Sequence, residues 1–253
     1  MTLRLSQFFR VRSDRYTIRF FPSAMSLALW IDRNDRSGDE QFLIKYLRPG
    51  DVAVDIGANI GNLALIAASM VRPGGRVIAV EPHPRIFNFL KTNLVDNAAT
   101  NVVAHNVAVG AETGEVKFTN RHSDDMNGVS TTGDLVVPVK RLDDLLADVN
   151  KISLLKIDVE GYELFVVKGA RETLARTDCV YFESFEPVFN TFGYSTRDLL
   201  TELRNSGFSI MRIDETHSVS KVDPEYRSLV CENLVAHRNP NFLAERLAGS
   251  TDS

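Results

Sequence analysis

The chain has 253 residues, a formal net charge of −4, 44% hydrophobic residues and 25% charged residues. These values are ordinary for a globular protein, so they exclude a wholly disordered chain, a collagen-like chain and a disulfide scaffold. The mildly acidic balance also argues against a dedicated nucleic-acid binder, which is usually strongly basic.

The first 36 residues are basic, because they hold seven arginines and three aspartates, a net charge of +4 that leaves −8 for the remainder. Such an arm is either a solvated flank or a segment that binds an anionic surface. Its uncharged stretch, Phe20 to Ile31, contains Pro22 and is shorter than the run of about 20 apolar residues that spans a bilayer. We therefore predict no integral membrane segment and interpret the stretch as core-packing or ligand-covering. Met25, Leu29 and Trp30 have helical spacing and are expected in the core.

The two cysteines, Cys179 and Cys231, form no CxxC pair and have no metal-ligand spacing. Both have apolar neighbours, so we expect two buried free thiols. Free thiols suit a reducing compartment, which makes a cytoplasmic location the expectation.

From residue 51 onward, short apolar runs alternate with longer helical stretches, which is the pattern of a parallel sheet with crossover helices. In the first half the predicted strands are 52–56, 76–81 and 102–108, and the predicted helices are 62–71 and 84–97, with Asn97 as a cap. In the second half the predicted helices are 142–149, 163–176 and 197–206, and the strands are 152–158, 179–183, 208–213 and 233–237. The last two strands are expected to form a closing pair.

The middle of the chain departs from this pattern. Two predicted strands, 115–118 and 136–140, flank a polar stretch over residues 120–134 that is rich in Ser, Thr, Gly and Asp. The stretch is too long for an ordinary hairpin turn. Long loops inside compact domains commonly act as lids or binding segments, so we expect this one to serve function.

The most informative segment is the turn Asp55-Ile-Gly-Ala-Asn-Ile-Gly61, which lies between a predicted strand and a predicted helix. Glycines there allow a tight bend and the close approach of a ligand, with helix N–H groups exposed beyond. Twenty residues after Gly61, Glu81 ends the second strand, where a carboxylate can accept hydrogen bonds from both ribose hydroxyls of an adenosine-containing cofactor. Because successive parallel strands place both loops at one edge of the sheet, the pair predicts a nucleoside-type cofactor.

Two cofactors fit this pattern, a nicotinamide dinucleotide and S-adenosylmethionine. Dinucleotide enzymes favour GxGxxG, in which backbone amides cradle a pyrophosphate. Here the spacing is GxxxG and the turn opens on Asp55, whose carboxylate would repel a pyrophosphate but suits the cationic amino-acid part of S-adenosylmethionine. The methyl donor is therefore favoured, and a nicotinamide-dependent dehydrogenase is the first alternative.

Several segments together resemble the FkbM-type S-adenosylmethionine-dependent methyltransferases. They are the glycine loop, the strand end Val-Ile-Ala-Val-Glu81-Pro, Arg141-Leu-Asp-Asp-Leu145, Leu155-Lys-Ile-Asp-Val-Glu-Gly-Tyr-Glu163 and Lys168-Gly-Ala170. The resemblance extends over residues 40–186 and more loosely over the closing strand pair. It implies an α/β class I methyltransferase fold, which is Rossmann-like, with a seven-stranded, mostly parallel sheet, helices on both faces and an antiparallel last strand. It also implies methyl transfer to a hydroxyl of a sugar, a natural product or another small molecule.

Within this resemblance, the glycine loop would line the methionine half of the cofactor, Glu81 the ribose, and the ends of the second and third strands the adenine. The predicted cofactor-binding residues are Asp55, Gly57, Ala58, Asn59, Gly61, Asn62, Glu81, Pro82, Asn106, Val107, Ala108 and Asp158. His83 follows directly and either borders the adenine or begins a helix.

Methyl transfer from a sulfonium is an in-line displacement, so the enzyme chiefly aligns donor and acceptor at about 3 Å and excludes water. A hydroxyl acceptor also needs its proton removed by a base or a metal. The predicted catalytic residues are Asp158, Glu160 and His122. No metal site is favoured, and a divalent metal held by Asp158, Glu160 and Glu183 is the alternative.

Two neighbours of these carboxylates have structural interpretations. Lys156 is expected to pair with one of them, and Glu163 is expected to cap the helix that follows.

The sequence thus predicts an O-methyltransferase that uses S-adenosylmethionine and acts on a small-molecule or glycosyl acceptor, with no nucleic-acid partner. Residues 1–40 would form an extension that covers the cofactor and substrate side, 41–245 the catalytic domain, and 246–253 a flexible tail. A non-catalytic cofactor-binding scaffold protein is the second alternative.

Overall fold

The computed structural model describes residues 9–32, 37–121, 127–214 and 218–248. The strands are β1 (Arg10–Arg12), β2 (Thr17–Arg19), β3 (Val52–Ile56), β4 (Arg76–Val80), β5 (Val102–His105), β6 (Ala108–Val109), β7 (Gly114–Phe118), β8 (Leu135–Lys140), β9 (Ile152–Ile157), β10 (Thr177–Ser184), β11 (Ser209–Ile213), β12 (Val219–Lys221) and β13 (Glu232–His237). The helices are α1 (Ala24–Ile31), α2 (Ser37–Tyr46), α3 (Asn62–Met70), α4 (Pro84–Asp96), α5 (Leu142–Leu145), α6 (Glu163–Lys168), α7 (Arg171–Ala175), α8 (Glu186–Phe189), α9 (Thr196–Asn205) and α10 (Pro240–Ala248).

The main sheet has the strand order β12-β11-β13-β10-β9-β3-β4-β5. Strands β5, β4, β3, β9 and β10 are parallel, and β13 pairs antiparallel with both β10 and β11. The predicted seven-stranded arrangement with an antiparallel last strand is therefore confirmed, and the short β12 extends its edge. Strands β3 and β9 lie in the middle, which explains their nearly continuous apolar sequences.

Helices cover both faces of this sheet, as predicted. Because side chains alternate along a strand, Ala53 and Leu154 point into one core while their neighbours Val54 and Leu155 point into the other. The first core is closed by α1, α2, α3, α4 and α10, and the second by α5, α6, α7 and α9. Helix α2 is an element that the sequence pattern did not predict.

The strand predicted over residues 102–108 is shorter in the structure. The chain leaves the main sheet after His105, and β6 joins β8 and β7 in a separate three-stranded sheet. At the exit, the Asn106 amide donates hydrogen bonds to the backbone oxygens of Glu81 and Pro82, at 2.8 and 2.9 Å. These bonds tie the end of β5 to the loop after β4. Strands β7 and β8 confirm the pair predicted around the polar stretch.

The helix predicted over residues 163–176 is two helices, α6 and α7. Gly169 separates them, and a Cβ at this glycine would lie 2.0 Å from the backbone oxygen of Gly110. The close passage of the chain after β6 therefore sets the break.

The N-terminal hairpin β1–β2 is fixed to helix α4. The backbone N–H groups of Thr17 and Arg19 donate to the side chains of Asn97 and Asn93, at 2.7 and 3.0 Å. The N–H of Asn97, the predicted helix cap, also donates to Asn93 within α4. Residues 9–32 thus form an attached extension of the domain.

Two expectations about side-chain burial are wrong. In α1, Met25 and Leu29 are buried as expected, but Trp30 is 60% exposed and packs edge-on against Phe20. Trp30 directly follows Leu29 and therefore points to a different face of the helix. Cys179 is a buried thiol, whereas Cys231 is exposed just before β13.

Helix α10 extends through Ala248 and buries Leu247 against the first core, so its last turn lies inside the segment predicted as a flexible tail. Arg246 binds the Asp51 carboxylate at 2.6 Å. In the described part of the chain, we find no helix with both the length and the apolar character needed to traverse a bilayer.

Candidate active site

A cavity of about 820 Å³, open to solvent, lies at the carboxyl ends of β3, β4 and β9 and against the small sheet. Ten of the twelve predicted cofactor-binding residues line it: Asp55, Gly57, Ala58, Asn59, Asn62, Glu81, Pro82, Val107, Ala108 and Asp158. Gly61 and Asn106 do not line it. Their contacts are structural, because Gly61 packs under Leu90 and the Asn106 amide binds backbone oxygens.

The packing of the protein itself requires the glycines of the loop after β3. Gly57 has φ +82°, and a Cβ there would lie 1.8 Å from the backbone oxygen of Asp158. Gly61 has φ +93°, and a Cβ there would lie 2.5 Å from Leu90 Cδ1 on α4. The glycine spacing therefore allows the loop to pass close to the end of β9 and to α4.

Every backbone N–H of this loop already has an acceptor in the protein. The N–H groups of Gly57 and Ala58 both donate to the oxygen of Val80, at 3.0 Å, and that of Gly61 donates to Ala58. The N–H of Ile60 donates to the Asn59 side chain, at 2.7 Å, and the N–H of Asn59 donates to Glu81. No loop amide between residues 57 and 61 is therefore directed at a ligand phosphate.

Glu81 fixes the loop after β3 to the loop after β4. Its Oε2 accepts a hydrogen bond from the N–H of Asn59 at 3.0 Å, and its Oε1 accepts one from the N–H of His83 at 2.8 Å. The side chain is buried at the cavity wall. A carboxylate has about four lone-pair sites, so Glu81 can accept more hydrogen bonds than these two. His83 itself caps α4, since its Nδ1 accepts from the N–H of Arg85.

A buried charge cluster forms the floor of the cavity beside the glycine loop. Lys156 Nζ lies 3.3 Å from Asp55 Oδ1 and 3.3 Å from Asp158 Oδ2. The prediction that Lys156 pairs with a carboxylate is confirmed, and it pairs with two. Two carboxylates face one ammonium group, so the three side chains carry a net charge of about −1 when all are ionised.

The loop after β9 holds Glu160 in a conformation that is rare for a residue with a side chain. Glu160 has φ +56° and Gly161 has φ +96°. Gly161 is required there, because a Cβ would lie 2.5 Å from Val188 and 2.8 Å from Phe192. Backbone strain of this kind concentrates at functional sites, and here it directs Glu160 to the cavity wall.

Glu163 stabilises this strained loop from beneath. Its Oε1 accepts hydrogen bonds from the N–H groups of Val159 and Gly161, at 3.0 and 3.3 Å, and its Oε2 accepts one from the Tyr194 hydroxyl at 3.3 Å. Burial raises the pKa of Glu163 to about 7, against the opposing effect of the Val159 N–H. The carboxylate thus binds the loop before α6, whereas the N-cap residue of that helix is Tyr162, so these bonds differ from the predicted helix cap.

The three carboxylates considered for a metal do not share one site. Asp158 and Glu160 line the cavity, whereas Glu183 lies beyond its wall and accepts a hydrogen bond from the Cys231 thiol at 3.2 Å. Desolvation and then the Glu183 charge raise the pKa of Cys231 to about 12. Among the residues with described positions, no three His, Cys, Asp or Glu side chains are grouped to hold a metal ion.

One predicted catalytic residue, His122, lies outside the described residues. Other cavity residues were not predicted from the sequence, and they include Met25, Phe118, Asn127, Val129 and Tyr162. Three of them lie within or beside the polar stretch between β7 and β8. The length of that stretch was the available signal, although its pattern identified no particular residue.

Residues 55–210 match the family described as the Methyltransferase FkbM domain. The chain is 32% identical over 228 residues to the 31-O-demethyl-FK506 methyltransferase FkbM of Streptomyces tacrolimicus, with 76% of this chain and 82% of the relative covered. It is 29% identical over 174 residues to the hexuronic acid methyltransferase AglP of Haloferax volcanii, with 66% and 70% covered.

Among solved structures, a protein from Clostridium thermocellum described as a putative rRNA-methylase superposes with a TM-score of 0.51 at 13% identity, over 79% of this chain and 94% of that one. This likeness agrees with the strand order in showing the class I methyltransferase fold. On the family match and the relatives together, the chain belongs to the FkbM family of S-adenosylmethionine-dependent methyltransferases.

Proposed function

We propose that the cavity binds S-adenosylmethionine through the predicted residues and that the protein transfers the methyl group to a hydroxyl of a small-molecule or glycosyl acceptor. The observation that carries the cofactor assignment is the combination of an internally satisfied glycine loop with carboxylates on both sides of it. A pyrophosphate would find no amide in that loop and would face Asp55. S-adenosylmethionine would place its cationic methionine end near Asp55 and its ribose near Glu81.

The adenosine half of the cofactor fits the side of the cavity near Glu81. Both ribose hydroxyls can donate to the Glu81 carboxylate, whose position two backbone amides already fix. Pro82, Val107 and Ala108 offer an apolar wall for the adenine. Asn106 supports that wall through its bonds to the backbone after β4, so we assign it a positioning role.

The methionine half fits the side near Asp55. The excess negative charge of Asp55 and Asp158 over Lys156 favours a ligand that carries an ammonium and a sulfonium group.

When bound, S-adenosylmethionine supplies an activated methyl group, so the protein needs to orient the acceptor and take up its proton. We assign proton removal to Asp158, which lies between the cofactor side and the loop of Glu160. Lys156, at 3.3 Å, holds that carboxylate in place. Glu160 would hold the acceptor at the outer wall, and His122 is a second candidate base.

A hydroxylated acceptor agrees with the names of the relatives, which specify a hexuronic acid and a demethylated FK506. We further propose a cytoplasmic enzyme without a nucleic-acid partner, whose catalytic domain spans residues 41–245. A divalent metal is not part of the proposal, so methyl transfer should persist after exhaustive chelation.

Calorimetric titration with S-adenosylhomocysteine and with NAD tests the cofactor assignment. We expect the methyl-donor product to bind and NAD to give no measurable heat. Binding of NAD without binding of S-adenosylhomocysteine would overturn the proposal and restore the dehydrogenase alternative.

A further inference from the structure

Four large apolar side chains of the N-terminal extension are exposed on one connected surface. They are Phe9, Leu27, Trp30 and Ile31, with exposed fractions of 57%, 46%, 60% and 73%. On α1, Leu27 lies one helical turn before Trp30 and Ile31, so these side chains are neighbours. Phe20 joins them to Phe9, because its ring packs against Trp30 with centroids 6.1 Å apart and its N–H donates to the Phe9 oxygen. We call these five residues the apolar patch.

Helix α1 is apolar on both its inner and its outer face. Met25 and Leu29 are buried in the first core, whereas the patch residues of the helix point outward. The twelve residues from 20 to 31 include no charged side chain. A helix that is apolar all round is normally buried on all sides, and a contiguous exposed apolar surface marks a site of interaction. The outer face of α1 is therefore an interaction surface.

The charge around the patch indicates the kind of partner. Residues 9–32 hold four arginines and two aspartates, a net charge of +2 in a chain of net charge −4. Arg10 and Arg19 both bind Asp96, at 3.5 and 2.8 Å, so one carboxylate faces two guanidinium groups. Arg12 is exposed on the same hairpin, about 10 Å along β1 from the patch. This positive border attracts an anionic partner and disfavours a second copy of the same surface.

We propose that the apolar patch docks the protein on the surface of a bilayer that contains anionic lipids. Tryptophan and phenylalanine rings suit the membrane interface, and nearby arginines bind anionic headgroups. The three patch residues of α1 offer one side-chain hydrogen-bonding group, the Trp30 indole N–H. Protein interfaces carry about one hydrogen bond per 100–200 Å², so this composition favours a bilayer over an acidic protein.

Docking would also fix the position of the cofactor cavity relative to the lipid surface. Met25 lines that cavity from the inner side of α1, whereas the patch lies on the outer side. The docked helix would therefore lie between the bilayer and the cavity. A helix with its side chains is about 10 Å across, so the cavity would lie about that far from the lipid surface.

The fluorescence of Trp30 tests the proposal directly, because this residue is the single tryptophan of the sequence. The full chain is titrated with vesicles of equal parts phosphatidylcholine and phosphatidylglycerol, and with vesicles of phosphatidylcholine alone. With the anionic vesicles we expect emission at shorter wavelength and cosedimentation, both reduced by high salt and by omission of the anionic lipid. Anionic vesicles that change neither the emission nor the sedimentation would overturn the proposal.

A double variant tests the apolar part of the surface while keeping the tryptophan. Leu27→Ser with Ile31→Ser should weaken partition into anionic vesicles by more than about tenfold. The control is Val103→Thr with Val136→Thr, since these valines are 50% and 63% exposed and lie outside the patch. The control should partition like the unaltered chain. Equal partition of the Leu27 and Ile31 variant and the unaltered chain would overturn the proposal.

Arg12→Gln tests the charged border and keeps every apolar side chain. Partition into anionic vesicles should weaken about fivefold, because each arginine near an anionic surface contributes about 1 kcal/mol. This exposed substitution keeps the test decisive even if the double variant of α1 does not fold, which circular dichroism checks. Unchanged partition of Arg12→Gln would remove the electrostatic part of the proposal and overturn it.

Two further measurements identify the other possible occupants. If the emission moves to shorter wavelength with protein concentration alone, and sedimentation velocity shows a dimer, the patch binds a second copy. If polyglutamate changes the emission and anionic vesicles do not, the patch binds an acidic protein. Either result would overturn the assignment to a bilayer.

Discussion

The two halves of the candidate site are built in different ways. The half proposed for the cofactor is formed by loops that follow adjacent parallel strands, and the backbone N–H groups of residues 57–61 have acceptors within the protein. The half proposed for the acceptor is assembled from segments that are distant in sequence, after β7 and β9, and it includes the strained Glu160. We infer that the constant ligand, the cofactor, would be bound by a local, preformed motif. The variable ligand is met by irregular segments whose positions depend on tertiary contacts.

Asp158 lies at the border of the two halves. Its substitution should therefore show the largest difference between the effect on methyl transfer and the effect on cofactor binding. Asp158→Asn keeps the shape of the side chain but removes the base, so methyl transfer should fall by about 10²- to 10⁴-fold. Affinity for S-adenosylhomocysteine should fall much less, by about tenfold, because the change also removes the excess negative charge that favours a cationic ligand while Asp55 and Glu81 remain. Initial rates and calorimetry on the same preparation check both values. Loss of cofactor affinity with an unchanged rate at saturation would instead make Asp158 a cofactor ligand.

Glu163 binds the loop that carries Glu160, and its contribution to the free energy of unfolding should depend on pH. The pKa of Glu163 is raised from its usual 4.5 to about 7, so the folded state holds a proton that the unfolded chain has lost. This contribution to the free energy of unfolding is complete below about pH 4.5, declines as the pH rises through 7, and is lost above that value. The decline is about 3 kcal/mol at most.

Urea unfolding between pH 4.5 and 8 measures this contribution, and Glu163→Gln is the control because it does not titrate. The variant should show a smaller decline in stability with pH than the unaltered chain. Identical pH profiles for the two proteins would exclude a raised pKa at Glu163.

Substitution of Glu160 is expected to have the smallest effect on the free energy of unfolding. Glycine tolerates the φ of +56° but loses more conformational entropy on folding, so Glu160→Gly should change the free energy of unfolding by less than about 1 kcal/mol. Methyl transfer should nevertheless fall about tenfold if the carboxylate holds the acceptor. Urea unfolding and initial rates check the two values. A variant with unchanged rate would remove Glu160 from the site.

The same contrast explains which residues of the candidate site could be predicted from the sequence. Asp55 and Glu81 could be predicted because each follows a buried strand of a regular pattern, so their juxtaposition depends only on strand order. Met25 and Phe118, which also line the cavity, could not be predicted, since no periodic pattern relates two segments about 90 residues apart.

The sequence-based predictions are wrong where tertiary contacts determine the local structure. The third strand ends early because the Asn106 amide binds the loop after β4, and the long second-half helix breaks where Gly169 meets another chain segment. The exposure of Trp30 and Cys231 likewise depends on which face of a helix or loop meets the core. An apolar neighbourhood in sequence does not determine that face.

Calorimetric titration with S-adenosylhomocysteine tests whether Glu81 binds the cofactor. The comparison is between the unaltered chain, Glu81→Ala, and the control Glu112→Ala, an exposed carboxylate outside the cavity. We predict that Glu81→Ala weakens binding by about 100-fold or more, because it removes both the ribose acceptor and the bonds that fix the loop, while Glu112→Ala binds normally. Unchanged affinity of a folded Glu81→Ala protein would exclude Glu81 as a cofactor ligand.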